Sequence, residues 1–265
     1  MTTENDLRPA RETTILPPTV TFLGTADAFN AGGCANSCYW VHDALGQFCV
    51  DFGPTALMKA NEYGRKVNDL DALFITHLHG DHIGGLPMLL LHLNYELNRT
   101  RPLYIAGPSQ TAAYIEKLWR GTYPSTIDRG LPFEVRHIVW APDQPTEVLG
   151  RSVSTMTAVH DEAAQAHSLK VNGPDYTIAF SGDTGWQPTL ASFTNDVDLF
   201  ICEATNVSEG YWGHMSIEEH RRHRRQLTPK RLVLSHLSSP ARALAKAESS
   251  QYDWIVAHDG MQLTL

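Results

Sequence analysis

Cysteine is scarce in this chain: there are four in 265 residues. Cys34, Cys38, Cys49 and Cys202 fit no zinc-ribbon spacing, so a disulfide framework or a thiolate zinc scaffold is not expected. They read as reduced thiols. Basic charge is also short, with 21 Lys and Arg against 29 Asp and Glu and a net charge of −8. That balance argues against bulk attachment to nucleic acid or to an anionic membrane. The one basic run, His220 to Arg225 with Lys230 and Arg231, reads as a solvated helix face. No apolar run reaches the roughly 20 residues of a bilayer-spanning helix, and residues 1–15 lack the apolar core of a signal peptide. A soluble, cytoplasmic protein without membrane association is expected. Internal repeats and low-complexity segments are missing too. Residues 1–18, ending in Leu16-Pro17-Pro18, read as an N-terminal tail, and residues 19–265 as a single domain.

Against these absences stands one concentration of chemistry, Thr76-His77-Leu78-His79-Gly80-Asp81-His82. Three imidazoles and a carboxylate within six residues suit zinc and similar divalent ions. Residues two apart in extended chain point the same way, so His77 and His79 converge on one cation. Gly80 is expected to permit a sharp turn, after which Asp81 and His82 face a second. The run follows the apolar Leu73-Phe74-Ile75 and precedes a helix expected over residues 83–97, which places it at a strand-to-helix junction.

Other short apolar strands end in reactive residues. Residues 47–50 stop at Asp51, residues 153–159 at His160, and residues 176–180 at Ser181-Gly182-Asp183. Residues 198–202 stop at Glu203 and residues 232–235 at His236. Strands alternating with helices imply sheets covered by helices, with ligands gathered at the strand ends. His160, Asp183 and His236 then complete a set for two metals. His167 competes with His160 and is set aside as lying outside the strand.

These motifs resemble those of the metallo-β-lactamase superfamily in the same order: the histidine cluster, His160, Ser181-Gly182-Asp183-Thr184 and Ser235-His236. The resemblance implies an α/β fold, a four-layer αββα sandwich, with two divalent metal ions at the sheet edge, zinc first and manganese as the alternative. His77, His79 and His160 would bind one ion, Asp81, His82 and His236 the other, and Asp183 would bridge them. Glu203-Ala204-Thr205 and Gly213-His214-Met215-Ser216 further resemble the ribonuclease Z and phosphodiesterase branch, in which the Glu holds a His that supports phosphodiester cleavage. Ser216 and Glu219 form a capping-box signature, so His214 sits just before a helix N-terminus, where free amides favour an anion. The tRNA-gripping arm of ribonuclease Z has no room between His160 and Asp183. A hydrolase of a small phosphodiester is therefore expected, with Asp81, His214 and Glu203 as catalytic residues and Asp51 orienting a ligating histidine. Nucleic acid is a less favoured substrate, and lactones, thioesters or sulfate esters are the alternative. The resemblance also implies a homodimer.

Overall fold

The computed structural model describes residues 17–141 and 144–265. The expected tail, up to residue 16, lies outside the described residues. One seven-stranded sheet is built from β1 (Thr19–Gly24), β2 (Cys38–Asp43), β3 (Gly46–Val50), β4 (Ala72–Phe74), β5 (Leu103–Gly107) and β6 (Val135–Val139) in that spatial order. The second takes β7 (Thr146–Val148), β8 (Arg151–Thr157), β9 (His167–Asn172), β10 (Thr177–Phe180), β11 (Leu199–Glu203), β12 (Leu232–Ser235) and β13 (Ile255–Val256). The last strand, β14 (Gln262–Thr264), returns to pair with β1.

Alternation along the strands explains the layering. Phe48 and Val50 of β3, with Phe74 of β4, meet Ile178, Phe180, Leu199 and Ile201 between the sheets. The intervening Cys49 and Leu73 face helices α1 (Ala56–Glu62), α3 (Leu86–Tyr95) and α4 (Thr111–Thr122). On the other sheet Phe200, Cys202, Leu232 and Leu234 face α6 (Pro188–Phe193), α7 (Ile217–His223) and α8 (Ser239–Tyr252). Three apolar cores thus separate four layers, α, β, β and α. Strands buried on both faces are apolar on both. With each Leu or Phe burial contributing roughly 1.5–3 kcal/mol, a one-residue slip would exchange the two faces at great cost.

The middle strands of each sheet run parallel, β3 to β6 in one and β10 to β13 in the other. Their carboxyl ends therefore meet at one edge of the sandwich, where ligands of open α/β sheets bind. Three residues just past strand ends there take left-handed backbone: Asp51 (φ 59°), Gly182 (φ 58°) and His236 (φ 52°). Among the described residues no helix is long and apolar enough to cross a membrane.

Some expectations need correction. The helix expected over residues 83–97 divides at Gly84-Gly85 into a short turn, α2 (Gly80–Ile83), and α3. Gly80 takes no left-handed conformation and opens α2, following extended His79 (φ −72°, ψ 150°). The chain is redirected by entry into a helix, not by a glycine turn. His160 lies in the loop after β8, while His167 opens β9, the reverse of the strand placement used to choose between them. The basic run is only in part a solvated face: Arg222, Arg225 and Lys230 are exposed, but the others are engaged. His220 is buried, Arg221 pairs with Glu248, and Arg224 donates to the carbonyls of Tyr252, Leu227 and Asp253. These cations hold α7 against α8 and the chain that follows it. Residues 120–131 contain the end of α4 and the short α5 (Pro124–Ile127).

Candidate metal centre

The folded chain brings the expected ligands to the shared edge in two overlapping groups. Ligand atoms of His77, His79, His160 and Asp183 lie within 4.8 Å of one another, as do those of Asp81, His82, Asp183 and His236. Asp183 belongs to both. Its Oδ2 is 3.6 Å from His77 Nε2, 3.5 Å from His236 Nε2 and 4.0 Å from His160 Nε2, while Oδ1 is 3.3 Å from His82 Nε2. Asp81 Oδ2 lies 3.2 Å from His82 Nε2 and 3.3 Å from His236 Nε2.

Each imidazole is held from behind through its other nitrogen. His82 Nδ1 donates to Asp51 Oδ2 at 2.7 Å, His160 Nδ1 to the Gly213 carbonyl at 2.7 Å, and His236 Nδ1 to Thr205 Oγ1 at 2.8 Å. His77 Nδ1 lies 3.0 Å from Thr76 Oγ1, which itself donates to Asp51. His79 is turned the other way: its Nε2 meets Asp161 Oδ2 at 3.3 Å, leaving Nδ1 facing His160. Such outer partners fix the tautomer and the ring direction of metal-binding histidines. His77 Nε2, His82 Nε2 and Asp183 Oδ1 are buried without any hydrogen-bond partner. Native proteins rarely leave such groups orphaned. Imidazole and carboxylate donors left open in this way fit divalent cations.

Beside the second group stands a third. Glu203, His214 and His236 also offer atoms within 4.8 Å of one another. His214 Nδ1 donates to Glu203 Oε1 at 2.7 Å and lies 4.0 Å from Asp183 Oδ2. Glu203 is fixed by the backbone amides of Thr184 and Thr205 and by the Thr205 hydroxyl. The capping box of Ser216 and Glu219 is formed, so α7 begins three residues after His214.

A family model described as the anti-Pycsar protein Apyc1 matches residues 18–255. The chain belongs to the Apyc1 family. Apyc1 of Paenibacillus sp. (strain J14) is 29% identical over 172 residues, 60% of this chain and 66% of that protein. Ribonuclease Z of Treponema pallidum (strain Nichols) is 26% identical over 200 residues, 59% of this chain and 64% of the relative. The chain thus spans less than two thirds of the treponemal protein. The crystal structure of the metallo-β-lactamase fold protein YhfI from Bacillus subtilis superposes with a TM-score of 0.75 at 22% identity, over 94% of this chain and 99% of YhfI. The Apyc1-family chain therefore has the metallo-β-lactamase fold and falls in its ribonuclease Z-like branch. Where an arm would be inserted, residues 161–182 hold only a 3-10 turn, β9 and β10.

Electrostatics in the Apyc1-family site follow from burial and crowding. Burial pushes His77 well below the ordinary histidine range, and His82 beside it adds to the effect. Burial opposes charge on His82 as well, but Asp183, Asp81 and Asp51 outweigh it and lift His82 well above that range. Asp183 is buried too, yet His236, His82 and His77 hold it far below the usual carboxylate range. Burial also works against a charged His214, and the Glu203 carboxylate overrides it, raising His214 to about 9.

Five supporting groups had no role assigned from the sequence: Thr205, Asp161, Thr184, the Gly213 carbonyl and His220. His220 Nε2 donates to the Glu203 carbonyl at 2.9 Å. Thr205, Asp161, Thr184 and Gly213 each stand within two residues of a residue that was singled out, which is the one signal available. His220 lies one residue past the capping Glu219, on the face of α7 that also buries Ile217.

Proposed function

We propose that the chain is a binuclear metal-dependent phosphodiesterase acting on a small phosphodiester, such as a cyclic nucleotide, a nucleotide diester or a short nucleic acid. The observation that carries this reading is the Glu203–His214 pair, set 4.0 Å from the shared carboxylate of Asp183. A bare metal cluster would suffice for many esters. A charged imidazole beside it suits a reaction with a poor alkoxide leaving group.

His77, His79 and His160 would hold one ion, Asp81, His82 and His236 the other, and Asp183 both. Two divalent ions there, zinc first and manganese as the alternative, would supply an activated water and offset charge growing on the phosphoryl oxygens. The remaining steps belong to the chain. Glu203 keeps His214 protonated at neutral pH, and with Nδ1 committed to Glu203, Nε2 holds the proton for the departing oxygen. General acid assistance of this kind contributes about 10²–10⁴-fold. Asp81 stays anionic because His82 and His236 outweigh its burial, and it accepts the hydrogen bond of the attacking water. Thr205 donates to Glu203 and accepts from His236, so one hydroxyl aligns the acid with the ligand beside it.

The test is elemental analysis followed by parallel assays on bis(p-nitrophenyl) phosphate, cyclic nucleotides, short RNA, a lactone and an aryl sulfate. Two equivalents of metal and fastest turnover on the phosphodiesters are expected. Faster hydrolysis of the lactone or the sulfate would replace this reading with that of a general ester hydrolase. Site-specific internal cleavage of a long structured RNA, faster than turnover of every small diester, would return it to ribonuclease Z-like cleavage.

A further inference from the structure

We propose that Phe29 and Tyr211 form an aromatic rim that selects phosphodiesters carrying a planar ring, a specificity that rests on the phosphodiesterase reading above. The metal-facing side chains occupy the floor of a cleft of about 510 Å³. A phosphate fills only part of that space. Phe29, from the β1–β2 loop, and Tyr211, from the loop between β11 and α7, line the same cleft as His160, Asp183 and His214. Phe29 is 89% exposed and Tyr211 51%. Trp212, 61% exposed, adds a third ring whose centroid is 6.0 Å from that of Tyr211.

Two of the four exposed aromatic side chains among the described residues, Phe29 and Tyr211, therefore line one cleft, Trp212 stands beside Tyr211, and Tyr95 lies on α3. Exposed apolar groups clustered at a cleft mark a binding surface. Their backbones are anchored. Asp27 accepts from the amides of Phe29 and Ala31, and the Tyr211 carbonyl accepts from the His214 amide. The Trp212 carbonyl packs so closely on Gly185 that a Cβ there would come within 2.0 Å of it. Rings held out on pinned backbone lose little freedom when they stack on a ligand. The Tyr211 ring lies 5.5 Å from the His214 ring, so a flat group stacked there would bring its ester oxygen towards the imidazole.

The experiment titrates metal-loaded protein calorimetrically with diphenyl phosphate and with dicyclohexyl phosphate, which match in apolar size but differ in having a flat face. Diphenyl phosphate should bind about tenfold tighter, in the range of aromatic stacking. In the Phe29→Ala/Tyr211→Ala double variant the ratio of the two affinities should fall towards one. Equal affinities in the parent protein, or an unchanged ratio in the variant, would overturn the rim while leaving diester hydrolysis intact. A variant that instead changes oligomeric state on size exclusion and keeps the ratio would reassign these rings to contact between copies of the chain. Protein that binds neither diester and hydrolyses none would remove the phosphodiesterase reading and the rim together.

Discussion

The two ends of the sandwich each bury an aspartate, and they treat it in opposite ways. At the end away from the cluster, Asp43 at the close of β2 accepts two bonds from Arg151, one from the Tyr176 hydroxyl and one from the Leu45 amide. Arg151 opens β8, and its side chain is fully buried over the Phe48 ring. That carboxylate is complete within the chain and ties one sheet to the other. At the opposite end, Asp183 is as deeply buried, ringed by imidazoles, and has Oδ1 without a hydrogen-bond partner. The first arrangement supports stability. The second leaves its demand to be met from outside the chain.

Substituting each aspartate tests the contrast most strongly. Asp183→Asn should fall below two equivalents of bound metal and lose diester turnover by more than the roughly 10–100-fold typical of outer-shell partners. Its melting temperature in chelator should not drop. Asp43→Asn should keep its metal but lose about 3–5 kcal/mol of stability, because Arg151 is left as a buried unpaired charge. Equal effects of the two on metal content or on chelated stability would erase the distinction between the ends.

Next in size is His214→Ala, expected to retain both metals and lose turnover by about 10²–10⁴-fold on an unactivated diester. Parent-like rates with full metal content would dissolve the Glu203–His214 pair. Acid then probes the support behind the metal end. Burial lowers His220 from 6.5 to about 4 against the opposing bond to the Glu203 carbonyl. Between those two pH values the unfolded chain takes up a proton that the folded chain refuses, so stability falls as pH drops and recovers above 6.5. About 2.5 units at ~1.4 kcal/mol each give a loss of about 3 kcal/mol by pH 4. Denaturant melts in chelator should show stability falling with pH in the parent, and the fall should be smaller by about that amount in His220→Gln.

Metal removal from the parent should lower stability by about 2.7 kcal/mol per bound ion relative to protein held at 100 times the dissociation constant. The same treatment should leave Asp183→Asn nearly unmoved in thermal melts. Smallest is Ser216→Ala, which removes the cap of α7 and should cost about 1 kcal/mol without altering metal content.

The sequence revealed the side chains that cluster at this edge because the chemistry of a metal site would restrict residue type tightly. His77, His79, Asp81 and His82 crowd one segment, and His160, Asp183 and His236 follow apolar runs. The layers were legible for a similar reason, since strands buried on both faces leave apolar blocks. The support behind the ligands was less visible. Thr205, Asp161 and the Gly213 carbonyl act through single hydrogen bonds that many residue types or any backbone can supply. The choice of His160 over His167 rested on a strand placement that the structure reverses. What separates them is position: His160 offers its Nε2 within 4.8 Å of the ligand atoms of His77, His79 and Asp183, and His167 joins none of these groups. The basic run misled in part because Arg221 on α7 and Arg224 just past it find a carboxylate and carbonyls on elements remote in sequence.

Gly213 has a wider consequence. Its carbonyl orients His160, and a Cβ on it would come within 3.0 Å of both the His160 ring and the Tyr211 ring. Changes of length or shape between Tyr211 and His214 would therefore disturb cation affinity along with substrate preference. The turn around Phe29 supplies none of the candidate ligands and none of their hydrogen-bond supports. Diversification of substrate range within this family should accordingly concentrate in residues 28–34, while the Tyr211–His214 loop drifts slowly.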